Sequence, residues 1–125
     1  MKVKGRLISG SGKGHFFTEL EWAKKQFVEI LEFEPVPGTL NILLQETTNQ
    51  LILELRHDRT YVMEPPSGDF CRGILLRAVI GDDVKGAVII PQVQNYDSRL
   101  LEILAPVNLR KRFGLKDGDE VVLEI

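Results

Sequence analysis

The sequence predicts a mainly β fold, a closed or nearly closed barrel of about six to eight strands with one inserted α-helix and a short C-terminal helix. Short strand-like segments recur along most of the chain, turn-forming residues separate them, and only one long segment has helical periodicity. A parallel α/β sheet would alternate its strands with helices. With 125 residues, the chain is expected to form one domain, residues 1–125, with its own core.

The predicted strands follow one another with turns between them. Residues 2–9 alternate loosely between polar and apolar side chains, as a first strand does. The glycines of Gly10–Gly14 then interrupt this pattern. Further strands are predicted at 39–45, 50–56, 60–64, 72–80, 86–91, 99–104 and 120–125. A short helix is expected at about 107–113.

The inserted helix has both a start signal and a stop signal. Thr18 and Glu21 form a capping-box pattern, which predicts a helix from there to about Glu32. Pro35 and Pro37 prevent its continuation. One face of this helix is apolar and is expected to pack against the barrel. That face consists of Leu20, Ala23, Phe27, Ile30 and Leu31.

Composition excludes several classes of protein. The formal net charge is −2, so no overall field draws the chain to nucleic acid or to an anionic membrane. Cys71 is the only cysteine, which rules out an internal disulfide. No apolar run approaches the roughly 20 residues that span a bilayer. Met1–Arg6 leads directly into a strand without a signal peptide. We expect a cytoplasmic monomer or weak homo-oligomer that binds neither nucleic acid nor membrane.

The segment Pro35–Asn41 is the most informative stretch of the chain. If Leu40 points into the core, Thr39 and Asn41 point to the opposite face, because side chains alternate along a strand. A hydroxyl and a carboxamide side by side suit a Mg²⁺ that is also held by phosphates and waters. The alternative is a Pro-Gly turn followed by a strand that starts with polar residues.

Two further segments are candidates for anion binding. The glycines of Gly10–His15 would let backbone N–H groups approach an anion, although the spacing fits neither a Walker loop nor a dinucleotide fingerprint. A flexible loop is the alternative. After Pro106, the segment Val107–Arg110 begins a basic helix in which Arg110 can pair with phosphate. The alternative there is a solvated helix face balanced by acidic neighbours.

Glu102 is an acid inside the apolar run Leu100–Pro106. A carboxylate there is costly unless it is exposed, paired or hydrogen-bonded. One interpretation is an edge strand with one wet face. The functional interpretation is a carboxylate at a pocket wall that accepts a hydrogen bond from a substrate hydroxyl or acts as a base.

Several of these segments together resemble the archaeal CTP-dependent riboflavin kinases. The resemblance is carried by Gly12–Phe17, by Ile30–Asn41, by Leu101–Arg110 and by Leu115–Asp119. Their order and spacing hold from end to end, so the resemblance covers essentially the whole chain. The Pro-Gly-Thr-Leu-Asn and Leu-Glu-Ile-Leu-Ala-Pro motifs are specific in combination.

The resemblance implies a cradle-loop (RIFT-type) barrel that transfers the γ-phosphoryl of CTP to riboflavin, giving FMN and CDP with Mg²⁺ as cofactor. It implies that Thr39 and Asn41 hold the metal and that Glu102 lies at the flavin side, where it is the catalytic candidate. The implied nucleotide-binding residues are Gly10, Ser11, Gly12, Lys13, Gly14 and His15 together with Val107, Asn108, Leu109 and Arg110.

The chain departs from the family pattern after Pro91. Similar sequences tend to show Thr-x-His where this chain has Gln94 and Tyr96. Gln94 can hydrogen-bond an isoalloxazine edge and is the second predicted flavin-binding residue, while Tyr96 can stack on such a ring.

Two functions are alternatives to a kinase. One is a barrel that binds nucleotide or flavin without turnover or with another acceptor. The other is a DNA-binding barrel, which the closing segment 106–119 suggests.

Overall fold

Seven β-strands are present in the computed structural model, which describes residues 1–9, 18, 20–55, 60–68, 71–94 and 96–125. They are β1 (Lys2–Ile8), β2 (Leu40–Leu44), β3 (Thr60–Met63), β4 (Gly73–Ile80), β5 (Val84–Pro91), β6 (Leu100–Leu104) and β7 (Glu120–Glu124). The helices with described bounds are α1 (Glu21–Leu31), α2 (Thr48–Glu54) and α3 (Leu109–Phe113).

Six of these strands close a barrel in the order β4–β5–β6–β2–β1–β7, because β7 also pairs with β4. Every pairing is antiparallel, and β3 adds to the outer edge of β4. Closure pairs the strand edges with one another and leaves few backbone groups without partners. The predicted mainly β barrel is therefore confirmed.

The barrel interior is filled by alternate side chains of each strand. On β2, Leu40, Ile42 and Leu44 enter this main core, whereas Asn41 lies on the opposite face. The same alternation places the following residues in the main core: Val3, Leu7, Leu76, Ala78, Ile80, Val84, Val88, Ile90, Leu101, Ile103, Val121 and Leu123. Period-two patterning thus decides which polar side chains stay outside the barrel.

A second apolar cluster covers the outside of β4, β5 and β6. Ala23 and Phe27 of α1 are fully buried there. They pack with Met63, Leu75, Ala87, Ile89 and Leu104. Because both faces of these strands are covered, β5 and β6 are buried at nearly every position. The predicted apolar face of α1 is confirmed, with Leu20, Ile30 and Leu31 at its partly buried border.

The strand predicted at 50–56 is wrong over the residues that are described. Helix α2 occupies this stretch, and the side-chain oxygen of Thr47 caps it by accepting the N–H of Gln50 at 3.2 Å. Leu51 is buried whereas Leu53 is 84% exposed, so one face of α2 packs against the barrel. The apolar run Leu51–Leu55 was compatible with a strand or a helix, and the cap at Thr47 favours the helix.

The predicted capping box at Thr18 and Glu21 is also wrong. Helix α1 begins at Glu21 after Leu20, with no side-chain cap, and the hydroxyl of Thr18 instead accepts the N–H of Gly38 at 3.0 Å. The predicted end near Glu32 is confirmed. Glu32 adopts a left-handed conformation with φ 63°, and its N–H bonds the carbonyl of Val28 at 2.9 Å.

The C-terminal helix is shorter than the predicted 107–113. Asn108 is the N-cap of α3, and its side-chain oxygen accepts the N–H of Lys111 at 3.1 Å. Gly114 ends the helix with φ 63°. Within the described ranges, no helix is long and apolar enough to cross a membrane.

Candidate functional site

The Pro-Gly turn before β2 is fixed to two other parts of the fold. Gly38 has φ 90°, a conformation that glycine adopts without strain. Its N–H is bound by Thr18, and the N–H of Val36 donates to the carbonyl of Ala105 at 2.9 Å. These bonds hold the turn against the end of β6. Thr39, directly after it, therefore occupies a defined place.

Thr39, Asn41 and Glu102 come together beside this turn. Asn41 and Glu102 are partners in the β2–β6 pairing. The Thr39 hydroxyl lies 3.3 Å from Oδ1 of Asn41 and 3.1 Å from Oε1 of Glu102. Asn41 is 7% exposed and Glu102 is fully buried. The edge-strand interpretation of Glu102 is wrong, because β6 lies between β5 and β2.

The Thr39 hydroxyl has one proton, so it cannot donate to both neighbours. The carboxylate of Glu102 is closer and is the stronger acceptor, so the proton belongs to that bond. The lone pairs of Thr39 and the Oδ1 atom of Asn41 are then neighbouring neutral oxygen acceptors. The alternation argument that paired these two side chains is confirmed by their positions.

The spacing of these oxygens fits a magnesium ion. Two neighbouring ligands of an octahedral Mg²⁺, each at about 2.0–2.1 Å, lie about 3 Å apart. The observed separation of 3.3 Å between Thr39 and Asn41 is close to that value. No cluster of three or more His, Cys, Asp or Glu side chains is found among the described residues. A site here would therefore depend on neutral oxygens, waters and ligand phosphates.

Tyr96 supplies a second hydroxyl to Glu102 within the described part of the chain. Its hydroxyl donates to Oε2 of Glu102 from the turn between β5 and β6. Burial, followed by the hydrogen bond to Glu102 and the negative charges of Glu102 and Asp97, raises the pKa of Tyr96. Tyr96 therefore stays a neutral hydroxyl. One hydroxyl bonds each oxygen of the Glu102 carboxylate, which offsets part of the cost of burying it.

A cleft joins the turn before β2 to the start of α3. Val36–Leu40 form one wall, and Ile103 with Val107–Arg110 form the other. The predicted metal pair and the predicted anion-binding segment thus share one cleft through Thr39. Asn108 differs from expectation in one respect, because its side-chain oxygen is already used as the α3 cap.

Arg110 is held in place by an acidic neighbour. Its guanidinium pairs with Oδ1 of Asp117 at 2.9 Å, and the hydroxyl of Ser9 bonds Oδ2 of the same carboxylate. The Ser9 bond first, and then Arg110, lower the pKa of Asp117. Asp117 thus connects Arg110 with the residue that directly precedes Gly10.

One predicted site residue is not joined to this cluster, and six others cannot be compared with it. Gln94 is exposed, and its side chain has no hydrogen bond to another described residue. Residues Gly10–His15 lie outside the described residues, so their predicted nucleotide contacts stay a prediction.

Sequence reasoning missed three contacts that shape the site. They are the bond from Gly38 to Thr18, the bond from Tyr96 to Glu102 and the bond from Ser9 to Asp117, whereas the pairing of Arg110 with Asp117 is the acidic balance that the alternative for this helix expected. Each joins residues from different elements, so no periodicity or spacing indicates it. A buried carboxylate such as that of Glu102 does, however, require hydrogen-bond donors, and Tyr96, six residues earlier in the chain, was a candidate donor.

The chain is similar to known proteins over nearly its whole length. Residues 7–125 match the model of the CTP-dependent riboflavin kinase family, described as domain of unknown function DUF120. The chain is 35% identical to a riboflavin kinase of Methanosarcina barkeri and 36% identical to one of Archaeoglobus fulgidus, in each case over 100% of the chain. It is 30% identical to a riboflavin kinase of Methanobrevibacter smithii over 99% of the chain.

The relatives differ in length. The chain spans 56% and 54% of the Methanosarcina barkeri and Archaeoglobus fulgidus proteins, about half of each. It spans 99% of the Methanobrevibacter smithii protein.

Proposed function

Because this chain belongs to the CTP-dependent riboflavin kinase family, we propose that it transfers the γ-phosphoryl group of CTP to the 5′-hydroxyl of riboflavin. The products are FMN and CDP. The observation that carries the proposal within the molecule is the cluster of Thr39, Asn41 and Glu102, which Thr39 connects to the cleft that Val107–Arg110 also line.

Thr39 and Asn41 are the residues that would hold Mg²⁺. When bound there, the ion would offset negative charge on the phosphates during transfer. Glu102 orients the Thr39 hydroxyl by accepting a hydrogen bond from it, as outer-shell carboxylates do for metal ligands. This arrangement explains why a buried acid lies beside two neutral ligands.

The phosphates of the nucleotide lie in the cleft between the turn before β2 and the start of α3, whose volume of about 130 Å³ holds only part of a nucleoside triphosphate. Arg110 supplies positive charge at this wall, and Asp117 fixes the direction of its guanidinium. Backbone N–H groups of Gly10–His15 are the proposed second side of the nucleotide site. Lys13 would add charge near the phosphates.

Glu102 acts on the acceptor. Its carboxylate accepts the proton of the riboflavin 5′-hydroxyl and directs the oxygen toward the γ-phosphorus. The bond from the 5′-oxygen to phosphorus forms while the bond from phosphorus to the β–γ bridging oxygen breaks. CDP leaves with that bridging oxygen, and the proton passes from Glu102 to solvent. Phosphoryl transfer depends mainly on positioning and charge, so few catalytic side chains are required.

The direct test is the reaction itself. Purified protein is incubated with riboflavin and with CTP, ATP, GTP or UTP in turn, with and without Mg²⁺, and FMN is measured by chromatography. We expect FMN with CTP and Mg²⁺ and a loss of product when the metal is chelated. Absence of FMN with all four nucleotides would refute the proposal.

A second candidate is a flavin- and nucleotide-binding protein without turnover. It is favoured by the full burial of Glu102, whose two oxygens already accept hydrogen bonds. The same incubation separates the two functions, because such a protein would quench riboflavin fluorescence on binding and form no FMN.

A further inference from the structure

The carboxylate of Glu102 is buried, and each of its oxygens already accepts a hydrogen bond. Glu102 is fully buried, with Thr39 bonded to Oε1 and Tyr96 bonded to Oε2. Thr39 lies at the predicted metal position and belongs to the nucleotide cleft. Oε1 is thus taken up on the nucleotide side, which leaves Oε2 as the oxygen for an acceptor hydroxyl, and among the described residues it is Tyr96 that lies there.

Tyr96 and an alcohol offer Glu102 the same kind of bond. Each presents a neutral O–H donor and takes one acceptor site on the carboxylate. Because burial and the nearby negative charges raise the pKa of Tyr96, its hydroxyl remains protonated as an alcohol does. Exchange of one hydroxyl for the other leaves the buried carboxylate paired throughout, so the exchange avoids the cost of an unsatisfied charge.

The position of Tyr96 permits this exchange. Its described neighbours Gln94 and Asp97 are exposed, as are Ser98 and Arg99 further along the turn. The backbone N–H of Tyr96 makes only a long bond of 3.4 Å, to the carbonyl of Val93. The side chain can therefore rotate away from Glu102 without breaking a strand pairing.

We propose that Tyr96 occupies the position at Oε2 of Glu102 until a ribityl hydroxyl of the flavin takes its place. This inference rests on the proposed function for the identity of the acceptor. It makes Tyr96 a competitor of the substrate and a determinant of its affinity.

The test compares riboflavin affinity in wild type and Tyr96→Phe, measured by flavin fluorescence quenching without nucleotide. In wild type, binding exchanges one hydrogen bond for another, whereas in the variant the bond from residue 96 is already gone and binding replaces it. We expect Tyr96→Phe to bind riboflavin at least about tenfold more tightly, as a hydrogen bond to a charged group implies. Lumiflavin has no ribityl chain, so its affinity should not change.

Two variants serve as controls. Tyr61→Phe removes the other tyrosine hydroxyl of the chain, on β3, and should leave riboflavin affinity unchanged. In a Glu102→Gln background, the gain from Tyr96→Phe should disappear, since the carboxylate that both hydroxyls compete for is gone. A gain that persists in that background would overturn the proposal.

A second measurement does not depend on the folding of Tyr96→Phe. Tyr61→Phe leaves Tyr96 as the only tyrosine, so ζ-¹³C-tyrosine labelling gives one NMR signal. Riboflavin should shift this signal and lumiflavin should not. Equal shifts with both ligands, or none with riboflavin, would overturn the proposal.

The outcomes separate this inference from the proposed function. Unchanged or weaker riboflavin binding by Tyr96→Phe, or a fall in kcat at constant riboflavin affinity, would overturn the inference alone. The latter result would make Tyr96 a positioning residue for Glu102 in the working complex. A wild type that binds riboflavin but forms no FMN would refute the proposed function, while the affinity series would still decide the role of Tyr96.

Discussion

Replacing Thr39 by valine tests the cluster of Thr39, Asn41 and Glu102 through stability as well as through activity. Valine keeps the shape of threonine but removes the hydroxyl that bonds Oε1 of Glu102 at 3.1 Å. Glu102 is fully buried, so water cannot replace this bond without rearrangement. A buried acceptor that loses its partner costs about 1–3 kcal/mol, and a charged one costs more.

We therefore expect Thr39→Val to lower the free energy of unfolding by about 2 kcal/mol or more. For a chain of this size, about 1 kcal/mol corresponds to a change in Tm of roughly 3–5 °C. Urea unfolding monitored by circular dichroism measures the first quantity, and calorimetry measures the second. The same variant should also lose Mg²⁺-dependent activity, because it lacks one of the two neutral ligands.

Thr39→Ser is the matched control, since serine retains the hydroxyl. It should preserve most of the stability and the metal response. A Thr39→Val protein that unfolds at the same urea concentration as wild type would refute the reasoning, because the buried carboxylate would then not need this donor.

Three further predictions concern other parts of the structure. Glu32→Gly should stabilise the protein by about 1 kcal/mol in urea unfolding, because glycine removes the strain of φ 63° at the end of α1, whereas Glu32→Ala should not. Because folding raises the pKa of Tyr96, wild-type stability should be intact below about pH 10 and should fall above it by up to about 1.4 kcal/mol per pH unit. Tyr96→Phe should lose this part of the slope, and an unchanged slope would contradict the assigned contact. Asp117→Asn should raise the KM for CTP roughly threefold with little change in kcat, because it releases Arg110 at an exposed pair, and an unchanged KM would argue against a role in nucleotide binding.

The strands could be predicted because alternation of side chains reflects the barrel directly. Leu40, Ile42 and Leu44 enter the core, and the same alternation correctly placed Asn41 on the other face. The run Leu51–Leu55 has no such alternation, since Leu, Ile and Leu follow one another within it. Its identity as a helix depended on the cap at Thr47, which local pattern reasoning did not use.

The two capping-box patterns show the limit of local signals. Both Thr18-x-x-Glu21 and Thr47-x-x-Gln50 fit the pattern, yet Thr47 caps α2 whereas α1 has no side-chain cap. The Thr18 hydroxyl instead bonds Gly38, which lies twenty residues further along the chain. Tertiary structure therefore decides whether Thr18 caps α1. Propensity alone cannot distinguish the two cases.

Sequence reasoning selected neighbouring residues of the candidate site more completely than it predicted their contacts. Thr39, Asn41 and Glu102 were each identified from residue type and position, and the structure brings them together. The bond from Tyr96 to Glu102 required knowledge of how the β5–β6 turn folds back on β6. Gln94, chosen by its place in the same turn, is exposed instead.

Magnesium titration of activity in wild type and Asn41→Ala examines the proposed metal pair in a single experiment. Riboflavin and CTP are held at saturation, FMN formation is followed as Mg²⁺ is varied, and circular dichroism verifies that the variant is folded. We expect Asn41→Ala to lose at least about 90% of its activity or to need at least about tenfold more Mg²⁺, since Oδ1 lies 3.3 Å from the Thr39 hydroxyl as a second ligand. Full turnover of the folded variant at the wild-type Mg²⁺ concentration would contradict the assignment of Thr39 and Asn41 to the metal.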